Sequence, residues 1–319
     1  MKSIYGILVL IGLLSFSSCT KDITVDLPDP ESMLVVEGYI ENGVPPYVLL
    51  TKNSAYFGGI DLNDLGSYFV RGARIRVFEG NDTVQLAEFC VQSLPDTFQR
   101  AFLRAYGYEI SDSSEVPDVC VYTIPNILSY YNGDTVSTFI GRVNHTYGLI
   151  VEAEGKTLTS STYIPGVVPV SLSYEPRSDE ANDSLVTVNV TFTQPDTPGN
   201  YARYFTQRND ESMYPPASQS AYDDALFSGS QQYTFPIERG QSKYDEVDFD
   251  TYGFFWKGDT VTVKWAQIDK KAYDFWHTLD NDGGDNPFSS PVRIKTNIEG
   301  GLGVWCGYGA YYATLVVPE

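Results

Sequence analysis

From Ser32 onward the chain is a succession of short runs in which apolar and polar residues alternate, each closed by Gly, Pro or Asn. MLVVEGYI, YVLLTK, RIRVFEG, TVQLAEFCV, VCVYTI, TVSTFIGRV and YGLIVEAEGKTLTSSTYIP are rich in Val, Ile, Thr and Tyr, which suit a pleated, half-buried surface. A period of two places alternate side chains on opposite faces of a strand. The clearest pair, Gly148 to Tyr163, reads as a hairpin about Glu154-Gly155-Lys156. Seven such runs predict an antiparallel β-sandwich, immunoglobulin- or transthyretin-like, over residues 32–165. PGVVP at 165–169 marks the expected domain boundary. VSLSYEP, SLVTVNVTFTQP, YARYFTQR and DTVTVKWAQI, with VRIKTNI and a glycine-rich run leading into a last strand AYYATLVVP, then predict a second β-rich domain over 166–319. The period changes to that of a helix only at 269–279, where Ile268, Ala272, Phe275 and Leu279 share one face and Asp269 is a candidate N-cap. Residues 209–258 have weak periodicity but many acids and aromatics; since disordered linkers are poor in aromatics, a long ordered loop is expected.

The N-terminus carries a different pattern. Lys2 precedes an apolar run from Ile4 to Phe16, about 13 residues long. A spanning helix needs roughly 20, so the run reads as the core of a secretion signal. It ends in Ser17-Ser18-Cys19, which resembles a bacterial lipobox: residues 1–18 are removed and Cys19 becomes the acylated first residue. Residues 19–31 (CTKDITVDLPDPE) then form a tether.

Charge narrows the partners. The formal net charge is -20 and no basic cluster interrupts the sequence. Such a chain repels phosphate backbones, so nucleic acid is excluded as a partner. Electrostatic attraction to anionic lipid is not expected either, which leaves the acyl group on Cys19 as the attachment to a bilayer. Export permits disulfides; Cys90 and Cys120, both in strand-like runs, are the expected pair, with Cys306 a buried thiol. Two histidines and no Cys-x-x-Cys leave a structural zinc site without ligands.

Several stretches together carry a family resemblance. The lipobox precedes the strand Leu34 to Ile40. Next come Asn42 to Pro46, the hairpin start Tyr147 to Val151, and the terminal P-V-x-I-x-T-N-I-x-G-G-L-G-V-x-x-G-Y at Pro291 to Tyr308. Over essentially the whole mature chain this is similar to the Bacteroidetes lipoproteins called domain of unknown function 4249. The resemblance implies an outer-membrane, surface-exposed lipoprotein encoded beside a TonB-dependent receptor. Lys21-Asp22 also looks like the short surface-export signal of such lipoproteins.

Other patterns carry candidate chemistry. Asp280, Asp282 and Asp285 alternate with Asn and Gly as in a calcium loop, but Pro291 stands where an EF-hand has its bidentate Glu, and a turn ending the helix is the simpler reading. Thr83, Thr135, Ser184 and Thr260 each follow Asp and precede an apolar residue, similar to O-glycosylation sites of exported Bacteroidetes proteins. Gly300-Gly301-Leu302-Gly303 lies among β-like residues and predicts close backbone approach or positive φ, not a phosphate loop. With no G-x-S-x-G elbow and no paired carboxylates singled out, no enzyme activity and no cofactor are expected. The aromatics of weakly periodic stretches, Tyr56, Phe57, Tyr130, Tyr131, Tyr214, Tyr222, Phe254 and Trp256, offer rigid contact area for a partner or ligand. The expected function is an accessory partner or lid of a TonB-dependent barrel in substrate capture or uptake. The alternative is a structural subunit of an outer-membrane complex that binds no small ligand.

Overall fold

The computed structural model describes residues 32–53, 66–94, 96, 99–100, 119–133, 138–177, 184–242, 248–281 and 293–319. Cys19, the signal and tether, Tyr56, Phe57, Thr135, Asp282 and Asp285 lie outside them. The alternating runs become β1 (Leu34–Glu41), β2 (Tyr47–Lys52), β3 (Arg74–Glu79), β4 (Asp82–Gln85), β5 (Ala87–Cys90), β6 (Cys120–Thr123), β7 (His145–Ala153) and β8 (Lys156–Ile164). Beyond 165 they become β9 (Val170–Pro176), β10 (Leu185–Thr193), β11 (Tyr201–Arg208), β12 (Ala221–Asp223), β13 (Gln232–Ile237), β14 (Phe255–Trp256), β15 (Thr260–Ile268) and β16 (Leu302–Val316). A 3-10 turn (Val91–Ser93), a short helix, α1 (Ile127–Tyr131), and a longer one, α2 (Lys270–Asp280), complete the described elements. The β7–β8 hairpin turns through Glu154 and Gly155, both with positive φ (51° and 73°), the geometry of a two-residue type I′ turn.

The fold is mostly β and sandwich-like. An eight-stranded sheet in the order β12-β11-β15-β16-β1-β2-β6-β5 is its spine. At one end of the spine, the sheet β4-β3-β7-β8 closes a core around Val36, Ile75, Tyr147, Leu158 and Trp305. At the other, β13-β10-β14 with β9 closes a second core around Val188, Phe255, Val263 and Trp265. The predicted boundary at 165/166 falls between these cores but does not separate two units: Ser32–Glu319 is one compact unit, because β1 and β16 pair in parallel inside a single sheet.

Five further expectations change. TVQLAEFCV breaks at Leu86 into two strands in different sheets. TVSTFIGRV forms only an isolated bridge at Gly141 within its described part. The last strand begins at Leu302, eight residues earlier than AYYATLVVP suggests, and the 209–258 loop holds three short strands, β12 to β14. The helix is capped as predicted, with Asp269 accepting from the Ala272 N–H (2.8 Å). Its buried face, however, is Ala272, Tyr273 and Trp276, while Leu279 is exposed. Packing decides this: Tyr273 stacks on Tyr201, and Trp276 on Tyr39, on the outer face of the spine sheet.

β16 explains the motif that carries the resemblance. Residues 302–308 pair with β1 on one edge and residues 309–316 with β15 on the other, so among the described residues each half has an edge with no neighbouring strand. Side chains stand in for the missing strands. Thr296 Oγ1 donates to the Gly303 carbonyl (2.7 Å), Asn297 Oδ1 accepts from the Trp305 N–H (2.9 Å) and Asn297 Nδ2 donates to its carbonyl (2.7 Å). Thr162 Oγ1 accepts from the Gly307 N–H (2.8 Å). On the opposite edge, beyond the end of β1, Asn42 brackets Ala310 in the same way (2.6 and 3.3 Å). Buried backbone polar groups need such partners. Gly303 takes φ 99°, and a Cβ there would meet the Val36 carbonyl oxygen at 1.9 Å, as the glycine run predicts.

Candidate interaction site

Two half-buried aromatics of the long acidic segment, Phe254 and Trp256, lie at one end of β16. Gly258, which takes φ 87°, donates its N–H to the Val317 carbonyl (3.0 Å) and brings β14 against the C-terminal end of that strand. Here two guanidinium groups lie over the Trp256 ring, Arg208 at 4.4 Å and Arg239 at 5.1 Å from its centroid, and Arg177 lies 4.5 Å from that of Phe254. Buried Asp259 organises the cluster: it accepts from Arg208 Nε (2.8 Å), Asn209 Nδ2 (3.0 Å) and the Trp256 N–H (2.8 Å). Arg208 also donates to Glu211 (2.9 Å), and Arg239 Nε to the Phe254 carbonyl (3.0 Å). Each such cation–π contact is worth about 0.5–2 kcal/mol. These contacts and hydrogen bonds hold the rings in one orientation. Phe249, in the same segment, is 85 % exposed.

A second polar cluster lies on the outer face of the spine sheet beside α2. Arg203, 5 % exposed, donates to Ser220 Oγ (2.9 Å) and to the Tyr308 hydroxyl (3.0 Å), and its guanidinium carbon sits 3.4 Å from the Trp276 ring centroid. Next to it, Lys264 pairs with Glu41 and lies 4.6 Å from the Tyr308 ring centroid; Tyr312 donates to the same carboxylate (2.7 Å). Burial pushes the phenols of Tyr39, Tyr308 and Tyr312 well above their ordinary range, so at neutral pH they are protonated hydrogen-bond donors and not bases. This cluster satisfies buried charge and locks α2 to the sheet.

The remaining sequence candidates are dispersed. Tyr130 donates to the Gly43 carbonyl (2.8 Å) and contacts Tyr131, which is 65 % exposed, on α1. Tyr214 pairs its backbone with Thr206, and Tyr222 stacks on Tyr204 beside a cavity of about 20 Å³, which admits one water and no larger ligand. Asp280 accepts from the Ser220 N–H and hydroxyl and from the Ala221 N–H, so it is an internal anchor and not a free cation ligand. Thr83 is exposed on β4, Ser184 is exposed before β10, and Thr260 is half-buried at the start of β15. Cys90 and Cys120 stand opposite each other in β5 and β6 and form a disulfide; Cys306 is buried and free. The three arginines of the Trp256 cluster escape sequence reasoning, because Arg177 and Arg208 lie 77 and 48 positions from the rings they cover.

Compared with known proteins, residues 20–311 match the family described as Domain of unknown function (DUF4249). No curated protein and no solved structure matches the chain.

Proposed function

The chain belongs to the DUF4249 family, and from that premise we propose that it is a lipoprotein, acylated at Cys19, which serves at the outer membrane as an accessory partner or lid of a TonB-dependent barrel. The family match begins at residue 20, directly after the cysteine that the lipobox marks. Among the described residues no helix is long and apolar enough to cross a membrane, so the acyl chains are the anchor in this reading.

One observation carries the docking role: the fold is polarised along β16. Ser32, where the compact unit starts, is held by Lys156 Nζ (3.0 Å) at the Leu302 end, since Val35 pairs with Leu302. The Trp256 cluster sits at the Val316 end, across 15 residues or roughly 45 Å of extended strand. The preorganised Trp and Arg side chains, types enriched in binding hot spots, therefore lie at the end of the compact unit opposite its first residue.

The test is affinity purification of the lipidated, C-terminally tagged protein from its own outer membrane in mild detergent, with mass spectrometry of what co-purifies. A stoichiometric TonB-dependent barrel, lost from Trp256→Ala, is the expected result. Recovery of the lipoprotein alone overturns the reading.

A further inference from the structure

A groove of about 580 Å³ runs between α2 and the extended segment 293–299, walled by Lys271, Asp274, Arg293, Ile294, Lys295 and Leu302. Its charge runs against that of the chain. Asp274 is already held by Lys270 (2.9 Å) and Lys295 (3.3 Å). Glu299, the other acid of the wall, accepts from Thr159 Oγ1 (3.2 Å). Among the described residues no carboxylate lies within ion-pair distance of Lys271 or Arg293, and both are exposed. The groove thus keeps a local positive charge in a molecule of net charge -20. At 0.1 M salt the Debye length is about 10 Å, so distant acids are screened and local sign governs what approaches.

Its position matters as much as its charge. Leu302 in the groove wall pairs with Val35, only three residues, or about 10 Å, from Ser32. The groove therefore lies close to Ser32, the first residue of the compact unit. A guanidinium fork with neighbouring ammonium groups suits phosphate oxygens, and exposed Ile294 with half-buried Leu302 provides an apolar flank for the stem of an amphiphile.

We propose that this groove binds the phosphate of a membrane headgroup and seats the anchored end of the protein on the bilayer surface. The proposal rests on the lipid-anchor reading above and adds a contact that net charge alone argues against.

The test uses residues 20–319, which contain the whole compact unit Ser32–Glu319 and carry no acyl chain, so that binding is read without the anchor. Flotation with phosphatidylcholine vesicles is compared with and without phosphatidic acid. Binding only to the doped vesicles is expected, weakened about tenfold or more by Lys271→Ala/Arg293→Ala. The distant Lys257→Ala should leave binding unchanged. Equal binding to both vesicle types, or equal loss from both variants, overturns the proposal. Saturation by inorganic phosphate with no vesicle binding assigns the groove to a soluble phosphate and overturns the membrane source. Mass spectrometry of the full-length product checks acylation separately: an unmodified Cys19 defeats the anchor reading but leaves the groove measurement standing.

Discussion

Replacing Asn297 by Ala tests whether side chains complete the edge of β16. Asn297 holds both backbone polar groups of Trp305, a residue with 0 % exposure, through bonds of 2.9 and 2.7 Å. Truncation leaves a buried N–H and a buried C=O without partners, each costing about 1–3 kcal/mol. Because Asn297 itself is only half-buried, water reaches part of the vacated space, and the lower half of the summed range applies, about 2–4 kcal/mol. Equilibrium urea unfolding of residues 20–319, followed by tryptophan fluorescence, reads this directly, since Trp305 is one of four tryptophans. With a slope of roughly 3 kcal/mol/M, the midpoint should fall by about 1 M. Asn297→Asp retains an acceptor for the N–H but sets a carboxylate against the Trp305 carbonyl, so it should be no more stable than the Ala variant. A loss below about 0.5 kcal/mol for Asn297→Ala would refute the idea that this side chain substitutes for a strand.

Three further outcomes follow from other parts of the fold. Cys90→Ser opens a disulfide closing a separation of 30 residues and should cost about 3–4 kcal/mol in the same urea assay under oxidising conditions; an unchanged midpoint would contradict this. Burial pushes the Cys306 thiol up to about 12, so it should resist an aromatic disulfide reagent at pH 8 and react only on unfolding; rapid native labelling would be inconsistent with its 0 % exposure. Burial alone would raise the Glu79 carboxyl, but hydrogen bonds from Arg142 and His145 hold it below its ordinary value of 4.5. A lowered carboxyl stabilises the fold above its unfolded pKa and loses that contribution as pH falls through the folded one. The melting-temperature gap between the parent and Glu79→Gln should therefore be full at pH 7 and close below pH 4.5.

What the chain alone determined are the features whose causes are local. Alternation of Val, Ile and Thr with polar residues produced β1, β7, β10 and β15, because a strand's period of two needs no information from elsewhere. Glu154-Gly155 set the hairpin turn, Asp269 capped α2, and the stretches ending in the Pro291 to Tyr308 motif were enough to place the family. Tertiary structure decided the rest, for a common reason: the partners are far apart in sequence. Parallel pairing of β1 with β16 joins residues some 267 positions apart, which no local pattern encodes, and it merges two predicted domains into one sheet. The buried face of α2 was set by Tyr201 and Tyr39 and not by the helix's own periodicity. Trp256 looked like a free contact residue until the fold placed Arg208 and Arg239 against its ring. Net charge is a sum over the chain and carries no positions; only folding brought Lys271, Arg293 and Lys295 to one groove beside the start of the compact unit.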